Sequence, residues 1–245
     1  MLKIKNLTKY FGGIKAVDNC SFEIEPNKIT ALIGPNGAGK TTIFDIASGL
    51  LNANSGKILF EGKNILGLSA CKIANLGISR SFQRVRLFKN LTILDHLLMI
   101  EDNEDTKIFK QFFSKQKISS EEINRYKELL AKFSIEKGLD ACVADLSYGQ
   151  RKLLQMMLML EKTHKILLLD EPVAGINKVL QRKIEELLIE LKEKNETVVI
   201  IEHDIEFIKK IADYIVVLDE GKVLIEGAPD KVLKDKRVLQ AYLGE

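Results

Sequence analysis

This chain of 245 residues has no tryptophan, four prolines, three histidines and three cysteines. Cys20, Cys71 and Cys142 are odd in number and widely spaced, with no Cys-x-x-Cys pair. That excludes a disulfide scaffold or a thiolate zinc site and suits reduced thiols in a cytoplasm. No window reaches the ~20 consecutive apolar residues of a membrane-spanning helix, and no long apolar stretch follows Met1-Leu2-Lys3-Ile4-Lys5, so no signal peptide is expected. A strong charge of one sign is also missing. The net charge of +3 is too balanced to point to nucleic acid as a main partner. What is present is a chain 46% hydrophobic and 29% charged, long enough to bury a substantial core as one or two domains.

The most informative segment is Gly34-Pro35-Asn36-Gly37-Ala38-Gly39-Lys40-Thr41. It fits the phosphate-loop pattern GxxxxGK[ST], and its flanks supply the required context. Lys28 to Ile33 reads as a short strand, and the apolar residues Ile43, Phe44, Ile46, Ala47 and Leu50 recur at helical spacing. Glycines at 34, 37 and 39 allow backbone N–H groups to approach phosphate oxygens, and the helix N-terminus adds its positive dipole end. Lys40 is placed for the β- and γ-phosphates, the Thr41 hydroxyl for Mg2+, and Thr42 for an α-phosphate oxygen. ATP and Mg2+ are therefore the expected cofactors.

Ile166 to Leu169 is a continuous aliphatic run that suits a strand buried on both faces of a parallel sheet. Asp170 then falls at its carboxyl end, where open α/β sheets bind ligands, and is the expected Mg2+ partner. Glu171, next in sequence and followed by Pro172, is the expected general base for an attacking water.

With these residues in place the chain resembles a known family over nearly all its length, the nucleotide-binding subunits of ABC transporters. Leu146-Ser147-Tyr148-Gly149-Gln150 is similar to the family signature, with Tyr148 in place of the usual glycine. Gln83 resembles the Q-loop glutamine, His203 the switch histidine, Ala174-Gly175-Ile176-Asn177 the D-loop, and Phe11 the aromatic that stacks on adenine. The resemblance implies that two cassettes pack head to tail, so that Ser147 and Gly149, with Gln150 beside them, meet the nucleotide held by Lys40 of the other cassette. His203 would contact the γ-phosphate, and Gln83 would sense it through the metal and water.

Within the family, the run Gly77 to Phe88, the Leu-Ser-Tyr-Gly-Gln signature and the ending Ala241-Tyr242-Leu243-Gly244-Glu245 resemble ATPases of branched-chain amino-acid importers. Close alternatives are urea or amide uptake, lipopolysaccharide export and a non-transport ABC ATPase. A P-loop kinase or GTPase would explain Lys40 and Asp170 but not the signature or His203. The implied partners are transmembrane permeases and a second cassette, identical or paralogous, at the cytoplasmic face of the inner (plasma) membrane.

The expected fold is α/β: a P-loop NTPase (RecA-like) core with an antiparallel β rim and an inserted α-helical subdomain. Strands are expected at Leu2 to Leu7, Val17 to Ile24 and Lys57 to Phe60 for the rim. Thr197 to Ile201 and Tyr214 to Leu218 continue the core sheet, Val223 to Ile225 is a late strand, and Leu180 to Leu191 reads as an amphipathic helix. Residues 1–83 and 146–245 are assigned to the core and 84–145 to the helical insertion, where Ile123, Tyr126, Leu129, Leu130 and Phe133 recur at helical spacing. Glu101 to Lys117 is a polar and aromatic mixture without fixed boundaries. The helix after the signature, Leu153 to Leu160, is apolar all round and is expected to be buried. Val85, Leu87 and Phe88 either line a groove for a permease helix or pack the insertion.

Overall fold

The computed structural model describes residues 1–82, 85–101 and 118–243. The chain divides into two compact units. The first comprises Met1–Gln83, His164–Ala174 and Ile184–Glu245, the second Arg84–Thr163 and Gly175–Lys183. The expected boundary at residue 146 thus moves: Leu146 to Thr163 belongs with the helical unit rather than the core.

In the first unit, β3 (Ile29–Ile33) and β7 (Ile166–Asp170) are buried along their whole length. Apart from Thr30 and Asp170 both consist of aliphatic residues, as suits strands covered on two sides. They lie in a six-stranded sheet ordered β10-β9-β3-β8-β7-β6. The remaining members are β6 (Ile78–Arg80), β8 (Val198–Ile201), β9 (Tyr214–Asp219) and β10 (Lys222–Gly227). All pairs are parallel except β10 with β9, which is antiparallel. In the registers of β3, β7 and β8, Leu32 and Asp170 both lie opposite Ile201. The carboxyl ends of the three strands therefore come level, and the segments that leave them share one edge. Helix α1 (Lys40–Ala47) leaves that edge after β3 and buries Ile43, Phe44, Ile46 and Ala47.

The antiparallel rim is a separate sheet, β2-β1-β4-β5, formed by β1 (Leu2–Phe11), β2 (Ile14–Ile24), β4 (Ser55–Phe60) and β5 (Lys63–Asn64). The first two strands run further than the alternation of apolar residues suggests, to a turn at Gly12-Gly13. Register shifts interrupt their pairing, and Asn6 and Asn19 beside them adopt positive φ. A two-residue period breaks at such bulges, which hides the continuity of the strand. Leu2, Ile4, Val17, Phe22, Ile58 and Phe60 join α1 and the core strands in one hydrophobic cluster.

In the second unit, α3 (Ile93–Glu101) packs against α5 (Tyr148–Glu161). Leu153, Leu154, Met156, Met157 and Leu158 of α5 are buried, as its all-round apolar sequence requires. Helix α4 (Ser120–Lys132) buries Tyr126 and Leu130, and its Ser119/Glu122 capping box satisfies the N-terminal N–H groups. The expected helical periodicity from Ile123 to Phe133 is therefore met. Most of the Glu101 to Lys117 segment lies outside the described residues.

Helix α2 (Ala70–Asn75), α6 (Lys178–Glu193), α7 (Ile205–Ile211), α8 (Pro229–Val232) and α9 (Lys236–Leu243) complete the elements used below. Helix α6 buries Ile184, Leu187, Leu188 and Leu191 on one face. Among the described residues, no helix is long and apolar enough to cross a membrane.

Candidate functional site

The loop from Gly34 to Gly39 joins the central strand β3 to α1. Gly34 and Gly39 have φ of 146° and 95°. A Cβ at Gly34 would stand 2.0 Å from the Leu218 carbonyl oxygen, and one at Gly39 would stand 2.3 Å from that of Ala16. Only glycine fits at either place. Gly39 is the N-cap of α1, which has no side-chain cap and no acidic residue in its first turn. A helix N-terminus in that condition suits an outside anion. Thr41 is exposed, and Pro35, Asn36, Gly37, Ala38 and Thr42 lie along the same loop and first turn.

Lys40 is buried, and its ammonium donates to the Gly34 and Pro35 carbonyl oxygens at 2.7 and 2.8 Å. Burial draws its pKa down, while the carboxylates of Glu171 and Asp170 work in the opposite sense. Those acids stand where β7 ends. Asp170 is buried; its N–H donates to Ser81 Oγ at 2.9 Å, and its carboxylate lies 3.4 Å from the Arg80 guanidinium. Burial raises its pKa against the opposing pull of Arg80.

Glu171 has φ of 48°, a conformation that costs a non-glycine residue energy and gathers at functional positions. Its N–H donates to the Ile201 carbonyl at 2.9 Å. That bond fastens it to β8, from whose end His203 approaches: His203 Nε2 lies 2.7 Å from Glu171 Oε1. The structure thus brings Lys40, Asp170, Glu171 and His203 onto elements at one sheet edge of the first unit. Phe11 is 49% exposed at the tip of the β1–β2 hairpin, with Lys9 Nζ 5.2 Å from its ring centre. Gln83 lies outside the described residues.

Ser147, Gly149 and Gln150 fall in the second unit. Ser147 is exposed and forms a capping box with Gln150: Gln150 N–H donates to Ser147 Oγ at 3.2 Å, and Ser147 N–H donates to the Gln150 side chain at 2.9 Å. Gly149 is buried, and a Cβ there would meet Leu180 Cδ1 at 2.1 Å. Any side chain at 149 would have to displace the end of Leu180, and helix capping explains the Ser-x-x-Gln spacing. Asn177 Oδ1 accepts the Leu180 N–H at 2.9 Å, so the last residue of the D-loop segment closes the start of α6.

Two residues that the sequence reading passed over hold the site together. Arg80 reaches Asp45 Oδ1 at 2.6 Å, Ser48 Oγ at 2.8 Å and Asp170, between the rings of Phe44 and Phe82. Glu202 is buried and accepts two backbone N–H groups, from Val173 at 2.8 Å and His203 at 3.1 Å. It ties the segment after Glu171 to His203. A charged residue directly before the histidine was visible in the sequence, but its burial was not.

The oxygen donors available, a hydroxyl at Thr41 and a carboxylate at Asp170, are those of a magnesium site completed by substrate phosphates. No group of three or more His, Cys, Asp or Glu side chains that could hold a metal ion occurs among the described residues.

Known proteins are similar to this chain in sequence and fold. The chain is 36% identical over 245 residues to the probable branched-chain amino acid transport ATP-binding protein LivG of Archaeoglobus fulgidus, covering 100% of this chain and 95% of that protein. It also matches the solved ADP conformation of an ATP-binding cassette of an ABC transporter with a TM-score of 0.83 and 32% identity, over 100% of this chain and 99% of that one. A dimeric ATP-binding cassette in a post-hydrolysis state with ADP and Pi matches at a TM-score of 0.77 and 26% identity, over 94% and 99% of the two chains. Residues 17–174 match the family described as ABC transporter, from β2 through the phosphate loop to the segment after Glu171, and the chain belongs to that family.

Proposed function

We propose that this chain is the ATP-hydrolysing subunit of a branched-chain amino-acid importer, working as one of a pair of cassettes beneath transmembrane permeases at the cytoplasmic face of the membrane. The observation that carries the chemistry is the 2.7 Å contact between Glu171 and His203 beside a buried Asp170. The solute class rests on the relatives' names and on the resemblance of the signature and terminal segments.

The phosphate loop binds the triphosphate through its backbone N–H groups, and Lys40 leaves the Gly34 and Pro35 carbonyls for the β- and γ-phosphates. Phe11 offers an exposed ring for adenine. Thr41 and Asp170 would hold a magnesium ion, whose charge offsets that of the phosphate oxygens. Glu171 orients and deprotonates the attacking water, while His203 positions the carboxylate and meets the γ-phosphate. Gln83 senses that phosphate, and Ser147, Gly149 and Gln150 present the signature helix to the partner cassette. Loss of the γ-phosphate contacts releases the pair.

Deleting the gene and following uptake of radiolabelled leucine, isoleucine and valine tests the solute assignment. Uptake is expected to fall and to return with the wild-type chain but not with a Lys40→Met variant. Unchanged uptake of all three contradicts it.

Coupling to the permease is assigned to the segment after Gln83. Phe88 is 60% exposed, so core packing does not account for it. Its N–H donates to Nε2 of the buried His96 at 3.1 Å, while His96 Nδ1 is 2.8 Å from the Thr92 carbonyl. Those two contacts hold the Phe88 backbone in place. A Phe88→Asp variant should keep basal ATP hydrolysis within about twofold while coupled uptake falls roughly tenfold or more, as for loss of an aromatic anchor at an interface. Equal loss of both activities, measured in reconstituted vesicles, assigns Phe88 to the fold instead.

A further inference from the structure

The ending Ala241-Tyr242-Leu243-Gly244-Glu245 served above only as a mark of kinship, yet Tyr242 touches the phosphate loop. Its hydroxyl oxygen accepts the Gly34 N–H at 2.9 Å, across 208 residues of sequence. Gly34 is buried at the end of β3, and its carbonyl oxygen accepts the Lys40 ammonium at 2.7 Å. One residue is therefore held at its N–H by Tyr242 and at its carbonyl by Lys40. Its φ of 146° and the 2.0 Å that would separate a Cβ from the Leu218 carbonyl oxygen restrict the position to glycine, so no side chain braces it.

Helix α9 carries Tyr242 one turn after Val238, so the two share a face. Val238 is buried, Leu239 on another face is 50% exposed, and the helix packs against β10. Burial raises the Tyr242 pKa, so the phenol is neutral at physiological pH.

We infer that Tyr242 is a positioning residue of the nucleotide site: its hydroxyl fixes Gly34, and so the place from which Lys40 is delivered to phosphate. This rests on the reading of Gly34 to Thr41 as the phosphate site. When Lys40 moves to a phosphate, Gly34 loses the bond at its carbonyl, and the bond from Tyr242 becomes its remaining polar anchor of the two. Without that bond the buried N–H is orphaned, the loop populates other arrangements, and nucleotide must select the competent one at a cost in affinity.

The test compares wild type with Tyr242→Phe, which keeps the ring and removes only the oxygen. ADP affinity is measured by calorimetry and ATP turnover by steady-state kinetics. The expected result is a Kd and KM each raised about tenfold, with kcat kept within about twofold. Wild-type affinity in the Phe variant overturns the inference, as does a joint loss of kcat and affinity accompanied by a lowered thermal midpoint. If wild type itself binds no nucleotide, the site assignment has failed rather than the role of Tyr242. The bond can also be examined without a variant. The Gly34 amide should exchange with deuterium far more slowly than that of exposed Gly37 in nucleotide-free wild type, and equal rates contradict the bond.

Discussion

Replacing Glu171 with Gln should lower ATP turnover about 10²- to 10⁴-fold, the range for removing a positioned general base, without loosening nucleotide binding. The substitution keeps the shape of the side chain and an oxygen that can face His203 Nε2, now 2.7 Å from the carboxylate. It removes the charge that accepts the proton of water. With hydrolysis stalled, the γ-phosphate persists, and the variant should accumulate as an ATP-bound dimer that light scattering separates from the monomer. Phosphate release measures the rate. Turnover equal to wild type refutes Glu171 as the base, and a persistent monomer in saturating ATP counts against the head-to-tail pair.

The second large effect is expected at Arg80, which lies within the Gly77 to Phe88 run but has no role assigned to it from the sequence. Its guanidinium joins Asp45 and Ser48 of the phosphate-loop helix segment to Asp170. Its side chain is 6% exposed and that of Asp170 is 3% exposed. Arg80→Met keeps much of the volume between Phe44 and Phe82 but leaves the buried Asp170 carboxylate without its cation. The expected loss at neutral pH is about 3 kcal/mol or more of folding stability.

The pH dependence has a definite sign. Burial already holds the Asp170 pKa above its ordinary 3.8, and Arg80 opposes that shift. Removing Arg80 raises the folded pKa further. The stability linked to a raised carboxyl pKa is fully present below the unfolded value and is lost as pH rises through the folded value. The deficit of Arg80→Met relative to wild type should therefore be largest near pH 7 and shrink as the pH falls toward that of the unfolded carboxyl. Urea denaturation at several pH values gives both quantities. A deficit below about 1 kcal/mol, or one that grows toward acid, contradicts the role assigned to Arg80.

The two residues differ in how far sequence could reveal them. Glu171 is legible because its signal is local: four aliphatics, Asp170 and Pro172 surround it. Its positive φ is not legible, since that follows from the Ile201 carbonyl that fastens it across the sheet. Arg80 finds Asp170 across 90 residues, and Tyr242 finds Gly34 across 208. Neither pairing leaves a period or a spacing in the chain.

The phosphate loop, both buried strands and the amphipathic face of α6 are legible for the same local reasons as Glu171. The capping box of Ser147 and Gln150 is a different case. Its Ser-x-x-Gln pattern stood in the sequence and describes a helix start, but the resemblance to a nucleotide-binding signature drew both residues to ligand binding alone. The domain boundary was misplaced by a related route. Leu146 to Thr163 follows the signature in sequence, but α5 packs with α3 in the helical unit.

The central claim, that this cassette powers amino-acid uptake through membrane partners, is tested most directly by isolating the chain from its native membranes under mild conditions. Co-purifying proteins would be identified by mass spectrometry. The account predicts two polytopic permeases, a second cassette and a solute-binding protein that takes leucine, isoleucine or valine. Recovery only in the soluble fraction, on ribosomes or DNA, contradicts it.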